Sequence, residues 1–245
     1  MVDSRNTERH NFDYVSPGLL TFICMDIVDL SHSLESHVQV YPGDPACTIT
    51  PFASVTKDGC SVHELTLGSH TGTHIDAPSH FFTDGKSIDQ IPLASLFGPF
   101  VLIDLTHLKL SDRQIITWSD IAASAEAERI SDGVILVIRT GWSKHWGTPR
   151  YYEHPFLERD VAHKILEKGV RVLAVDTLSP DETPYEGRGG DTGFGIHEII
   201  LGAGAVIAEN LTNLEALSGS NTIAIVPLNL KGCDGSPARV VAWKS

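Results

Sequence analysis

Residues 69–82, SHTGTHIDAPSHFF, carry three histidines and an aspartate within eleven positions, at 70, 74, 76 and 80. Every separation among the four is even. Residues two apart on an extended backbone share a face, so His70, His74, Asp76 and His80 can all point one way. Gly72 and Pro78 kink that backbone, and with Thr73 they argue against a helix. Imidazole nitrogens with a carboxylate oxygen form a borderline ligand set that suits Zn²⁺, Mn²⁺ or Fe²⁺. Three protein ligands, His70, His74 and Asp76, leave coordination positions open, as catalytic centres require. Imidazoles also titrate near neutral pH, which suits the remaining group, His80, to moving protons.

Outward from this stretch, short runs rich in β-branched residues predict strands at 22–28, 62–67, 100–105, 134–139, 170–175, 205–208, 222–227 and 239–243, most of them buried on both faces. Helices are predicted at 119–130, at 160–168 before Gly169, and at 196–201 before Gly202. Strands and helices interleave in the second half, whereas the first hundred residues read as strands and loops. The expectation is an α/β protein on a mixed central sheet, one domain over 1–245, with 1–20 an extended or disordered arm. His197 opens the last helix, and Glu209 ends the apolar run 205–208. A carboxylate there is costly to bury unless paired or coordinating, so Glu209 is a second candidate to approach the metal. Residues 179–195, SPDETPYEGRGGDTGFG, hold five Gly and two Pro and predict a long mobile loop, either plain surface or an active-site lid. Phe81, Phe82, Trp142 and Trp146 are aromatic candidates for the core or for a pocket wall. Asp176 and Ser179 follow a strand end, where either turn chemistry or a site can use them.

The chain has 245 residues and a formal charge of −13, and no Lys/Arg cluster stands against it. Nucleic acid and anionic membrane surfaces are therefore excluded as expected partners, and a small organic substrate is favoured. Cys24, Cys47, Cys60 and Cys233 form no C-x-x-C pair and read as ordinary thiols of a reducing compartment. The first ten residues lack the apolar stretch of a secretory signal, and no uncharged apolar run approaches twenty residues, so the expected location is cytoplasmic. No G-x-S-x-G elbow occurs, which points to attack by water and not by a serine.

The run HTGTHIDAPSH at 70–80 resembles the H-x-G-T-H-x-D-x-P-x-H signature of the cyclase-like metal-dependent hydrolases, which include kynurenine formamidases and isatin hydrolases. DLSHSLESHVQVYPGD at 29–44, RTGWSKHWG at 139–147, VDTLSPD at 175–181 and IHEIILGAGAVIAENLTNL at 196–214 extend the resemblance over most of the chain. It implies a swivelling β/α/β domain assembled as a homodimer or homotetramer. It also implies one or two divalent ions, Zn²⁺ or Mn²⁺. His70, His74 and Asp76 would hold the first, and Asp76 would reach a second together with His197 and Glu209. His80 matches the family's proton donor and acceptor, and Tyr41 stands where formamidases commonly place a substrate-stacking tryptophan. The implied reaction is hydrolysis of an aryl formamide or related amide. The alternatives are ring opening of a lactam or lactone, and metal-dependent cyclase or lyase chemistry.

Overall fold

Alternation of apolar side chains builds the sheet, and its closure places the histidine-rich stretch. The computed structural model describes residues 26–190 and 192–244; the expected arm at 1–20 and most of the expected strand 22–28 lie outside them. Twelve strands form among the described residues: β1 (Val28–Asp29), β2 (Thr48–Ala53), β3 (Val62–Thr66), β4 (His74–Asp76), β5 (Phe97–Asp104), β6 (Ile115–Ile116), β7 (Ile135–Arg139), β8 (Phe156–Leu157), β9 (Val172–Val175), β10 (Val206–Glu209), β11 (Thr222–Pro227) and β12 (Gly235–Trp243). Four α-helices accompany them: α1 (Val55–Asp58), α2 (Trp118–Ala122), α3 (Arg159–Glu167) and α4 (Gly195–Gly202).

The main sheet runs β1-β12-β11-β5-β7-β9-β10-β4, and β4 pairs back onto β12, so seven strands close into a ring with β1 outside it. Strands β5, β7, β9 and β10 are mutually parallel, whereas β4, β11 and β12 join antiparallel. The expected mixed α/β sheet is present; its closure through β4 and β12 is a tertiary feature that no local pattern announces. Successive side chains on a strand face opposite ways. Ile135, Val137, Val172, Ala174, Val206 and Ala208 accordingly turn to one core with Ile75, Phe100, Ile223 and Val240, contributed by all seven ring strands. Leu136, Ile138, Leu173, Val175 and Ile207 turn to a second core under the helices, with Ile121, Val161, Ile165, Ile196 and Ile200. Both faces are thus buried, which is why these parallel strands read as continuous apolar runs.

Helix α2 begins earlier and ends sooner than expected. Thr117 caps it, its hydroxyl accepting from the Asp120 N–H while the Asp120 carboxylate accepts from the Thr117 N–H, and a separate 3₁₀ turn covers Ala127–Arg129. The predicted strand at 62–67 forms, but it is exposed along its whole length: β2 and β3 make a two-stranded ribbon apart from the main sheet. Its β-branched residues meet the ribbon's needs without a core to cover them.

The Gly-rich segment is anchored at its start. Asp181 and Thr183 are buried, Arg113 binds Glu182 and the Thr183 carbonyl, and Arg188 meets Glu153. Charge-assisted contacts of this kind hold Glu182 and Arg188 at defined places in an otherwise exposed loop.

One glycine governs the ring closure. Gly235 lies opposite Asp76 in the β12–β4 ladder, and a Cβ there would come within 2.8 Å of both His70 Cε1 and the Ile75 carbonyl oxygen. Gly235→Ala should lower stability by about 1–3 kcal/mol, the usual cost of overpacking. Chemical denaturation checks this, with unchanged stability contradicting the packing argument.

Candidate metal centre

Strand register brings the candidate ligands together. Within β4, Ile75 faces the ring core, so His74 and Asp76 face outward to the helix side. On the neighbouring β10, Glu209 pairs directly with His74 and Ile207 with Asp76, which puts Glu209 on that same outer side. Helix α4 packs over this side through Ile196 and Ile200 and supplies His197 from its first turn. Beyond β4, Pro78–His80 forms a 3₁₀ turn that swings His80 back beside His70, their ring centroids 4.0 Å apart. The expected set of His70, His74, Asp76, His80, His197 and Glu209 therefore lines one cleft of about 280 Å³, and Tyr41 lines it too.

The ring nitrogens are arranged so that each histidine has a committed partner. His74 Nδ1–H donates to the Gly72 carbonyl at 2.8 Å, which turns Nε2 toward Asp76 Oδ1 at 3.3 Å and Glu209 Oε2 at 3.2 Å. His197 Nδ1–H donates to Asp181 Oδ2 at 2.6 Å, which turns its Nε2 toward Asp76 Oδ2 at 3.5 Å and Glu209 Oε1 at 3.3 Å. Asp181 also accepts from the backbone N–H groups of Ile196 and His197, so one buried carboxylate anchors the start of α4 and orients its histidine. His70 Nδ1 approaches Asp76 Oδ1 at 2.6 Å, and its Nε2 lies 3.0 Å from Asp234 Oδ2.

Charge balance explains the protonation behaviour. Burial disfavours imidazolium at His70 and His74, but Asp76, with Asp234 or Glu209, outweighs it and raises them to about 9 and about 10. His197 is raised as well, by Asp181, Asp76 and Glu209 against its burial. Burial favours the neutral acids at Asp76 and Glu209, yet the surrounding imidazoles hold both below the usual carboxylate range. The cluster gathers positive charge, from protons when nothing else is offered.

The donor set fits a divalent cation. Asp76 Oδ2 and Glu209 Oε1 are buried and accept no well-formed hydrogen bond, facing only His197 Nε2 at 3.5 and 3.3 Å, a weakly satisfied state that coordination would relieve. His70, His74 and Asp76, and separately Asp76, His197 and Glu209, each offer ligand atoms within 4.8 Å of one another. Asp76 belongs to both groups. Carboxylate and imidazole donors of this kind suit Zn²⁺ and Mn²⁺ alike.

Around the cluster the wall is apolar, formed by Phe81, Leu178 and Phe194. Burial, with Glu209, Asp181 and Asp44 nearby, pushes the Tyr41 hydroxyl up to about 12, so it stays a donor, and it has no hydrogen-bond partner. Of the other aromatic candidates, Trp142 packs with Tyr151 and Leu178, Trp146 stacks on His32, and Phe82 is partly exposed outside the cleft lining. Asp176 is bound by Thr140 and Gly141 and serves the turn, whereas Ser179 lines the cleft. Asp181, Phe194 and Asp234 were not singled out in the sequence. Asp181 closes the VDTLSPD run, the one signal that could have drawn attention to it.

Comparison with known proteins agrees with this geometry. The sequence model of the Cyclase family, described as "Putative cyclase", matches residues 28–182. A kynurenine formamidase from Bacillus cereus is 31% identical over 216 residues, covering 87% of this chain and 95% of that protein. Isatin hydrolase A from Labrenzia aggregata, solved with benzyl benzoate, superposes with a TM-score of 0.78 at 28% identity, over 89% of this chain and 93% of that one. A protein described as a "predicted metal-dependent hydrolase" from Bacillus stearothermophilus superposes with a TM-score of 0.71 at 28% identity, over 90% of this chain and 99% of that one. Likeness that runs nearly end to end, on a fold that gathers those histidines and carboxylates in one cleft, leads to one conclusion: the chain belongs to the cyclase-like family of metal-dependent hydrolases.

Proposed function

We propose that this protein hydrolyses the C–N bond of an aryl formamide or a related small aromatic amide, using His80 to move the proton. The observation that carries this reading is a buried carboxylate, Asp76, shared by two potential ligand groups beside a histidine in an apolar-walled cleft. His70, His74 and Asp76 would hold one divalent cation, Zn²⁺ or Mn²⁺, and Asp76, His197 and Glu209 a second. When bound, such a cation supplies Lewis acidity, which makes a neighbouring water more acidic and stabilises negative charge on a carbonyl oxygen.

The remaining work falls to side chains of this chain. His80 Nδ1–H donates to Asp234 at 3.2 Å, so Nε2 of the neutral ring keeps its lone pair. It takes a proton from the attacking water as oxygen adds to the carbonyl carbon, and it delivers that proton to the leaving nitrogen as the C–N bond breaks. Phe81 and Phe194, packed edge to face, form one apolar wall against which an aromatic ring rests and from which water is excluded, and the Tyr41 hydroxyl donates to a substrate oxygen. Tyr41 thus binds substrate by a hydrogen bond as well as by its face.

Opening of a lactam or lactone ring is the second reading, favoured by the likeness to isatin hydrolase A. Both reactions begin with oxygen adding to a carbonyl. The wider reading is of a single-domain cytoplasmic enzyme with the swivelling β/α/β arrangement, working as a homodimer or homotetramer. The exposed apolar residues Phe52, Val55 and Leu65 on and beside the β2–β3 ribbon support assembly. Among the described residues no helix is long and apolar enough to cross a membrane.

The direct test is turnover of N-formylkynurenine and of isatin by protein reconstituted with Zn²⁺ or Mn²⁺ in ¹⁸O-labelled water. Label should enter the formate or the ring-opened acid, and His80→Ala should keep its metal while kcat falls roughly 10²- to 10⁴-fold. Failure of metal-replete protein to hydrolyse either compound would sink both readings.

A pH prediction follows from the raised histidines. In chelator-treated protein, His70 and His74 bind protons more tightly folded than unfolded, so they stabilise the fold fully below about pH 6.5. That contribution is lost as pH rises through about 9 to 10. Thermal melts of chelated protein should therefore fall over this range, and metal-loaded protein should fall less. Parallel curves for the two forms would contradict the assignment.

A further inference from the structure

Asp234 stands immediately before β12, 154 residues from His80 in sequence, and its Oδ2 lies 3.2 Å from His80 Nδ1 and 3.0 Å from His70 Nε2. An ionised carboxylate can only accept, so both ring nitrogens must carry their hydrogens toward it. For His80 this removes the choice between tautomers: with Nδ1 protonated, Nε2 is the free lone pair. For His70 the same contact occupies Nε2 and leaves Nδ1 directed at Asp76 Oδ1. The two rings sit 4.0 Å apart, a spacing at which positive charge on both is unfavourable without an anion beside them.

The backbone around Asp234 is held in place. Its carbonyl accepts from the Ala77 N–H at 2.8 Å, the Cys233 carbonyl accepts from the Ile88 N–H, and the Gly232 N–H donates to Asp89. The next residue, Gly235, sits in the ladder opposite Asp76. The carboxylate, 41% exposed, is thus carried by backbone that belongs to the same closure that mounts the candidate metal cluster.

We propose that Asp234 is a positioning residue that fixes His80 and His70 together, setting the tautomer through which His80 exchanges protons. Partners of this kind, which hold a functional imidazole by its other nitrogen, typically affect metal affinity or activity 10- to 100-fold. The inference rests on His80 being the proton carrier of the proposed reaction.

The test uses full-length protein, wild type, Asp234→Ala and Asp234→Asn, with histidine ¹⁵N spectra recorded for the chelated and the Zn²⁺-loaded forms beside steady-state kinetics. Wild-type His80 should show the Nδ1–H form. Asp234→Ala should gain the Nε2–H form and lose roughly 10- to 100-fold in kcat with little change in KM. Asp234→Asn, which keeps one acceptor oxygen, should recover part of both. An unchanged His80 tautomer with unchanged kcat in the folded variants overturns the proposal. Because the spectra need no substrate, a tautomer shift in protein that hydrolyses neither formamide nor lactam would support the positioning role and sink the proposed function.

Discussion

Asp76 is a fully buried carboxylate whose oxygens face three imidazoles, from His70, His74 and His197, and this pairing dictates the surroundings. A buried anion must be matched by positive charge or by a cation, since removing it from water costs several kcal/mol even after relaxation. The surrounding histidines meet that need in two interchangeable ways. They hold protons, or, with a metal bound, they would release them and serve as neutral ligands. Glu209, also buried, extends the same logic to a second position.

The fold serves this requirement by register. Closure of the ring through β4 and β12 fixes which residues of the short strand face outward, and β10 meets it so that Glu209 lies across from His74. Supporting contacts then commit the far nitrogen of each imidazole: the Gly72 carbonyl for His74, Asp181 for His197 and Asp234 for His70 and His80. Gly72 adopts a positive φ of 65° to present that carbonyl, with Leu34 packed where its side chain would be, so the kink visible in the sequence has a defined purpose. The result is a cluster whose His74, Asp76 and Glu209 ride on strands and His197 on a helix, while His70 and His80 come from the turns on either side of β4.

Much of this was legible in the amino-acid sequence because the relevant information is local. The even spacing holds as strand geometry for His74 and Asp76, which share a face of β4, whereas His70 and His80 converge on it through the turns that Gly72 and Pro78 announce; the apolar runs at 134–139 and 222–227 match their strands to within a residue. What escaped is what depends on distant pairing. Asp234 reaches His80 only because β12 closes on β4, and Phe194 joins the cleft only because Asp181 anchors α4. The β2–β3 ribbon misled in the opposite direction: β-branched residues predict a strand correctly but cannot say whether another layer covers it. Composition likewise predicted a long mobile loop at 179–195 and could not foresee that Arg113 anchors its start at Glu182 and Thr183.

Cation binding at Asp76, on which the roles of the surrounding residues depend, is measured most directly by anomalous diffraction from crystals grown with Mn²⁺ or Zn²⁺. A peak at roughly 2.0–2.3 Å from an Asp76 oxygen and from imidazole nitrogens of the cluster is the expected result. A metal-replete crystal in which these side chains keep their places and no such peak lies among them would contradict it.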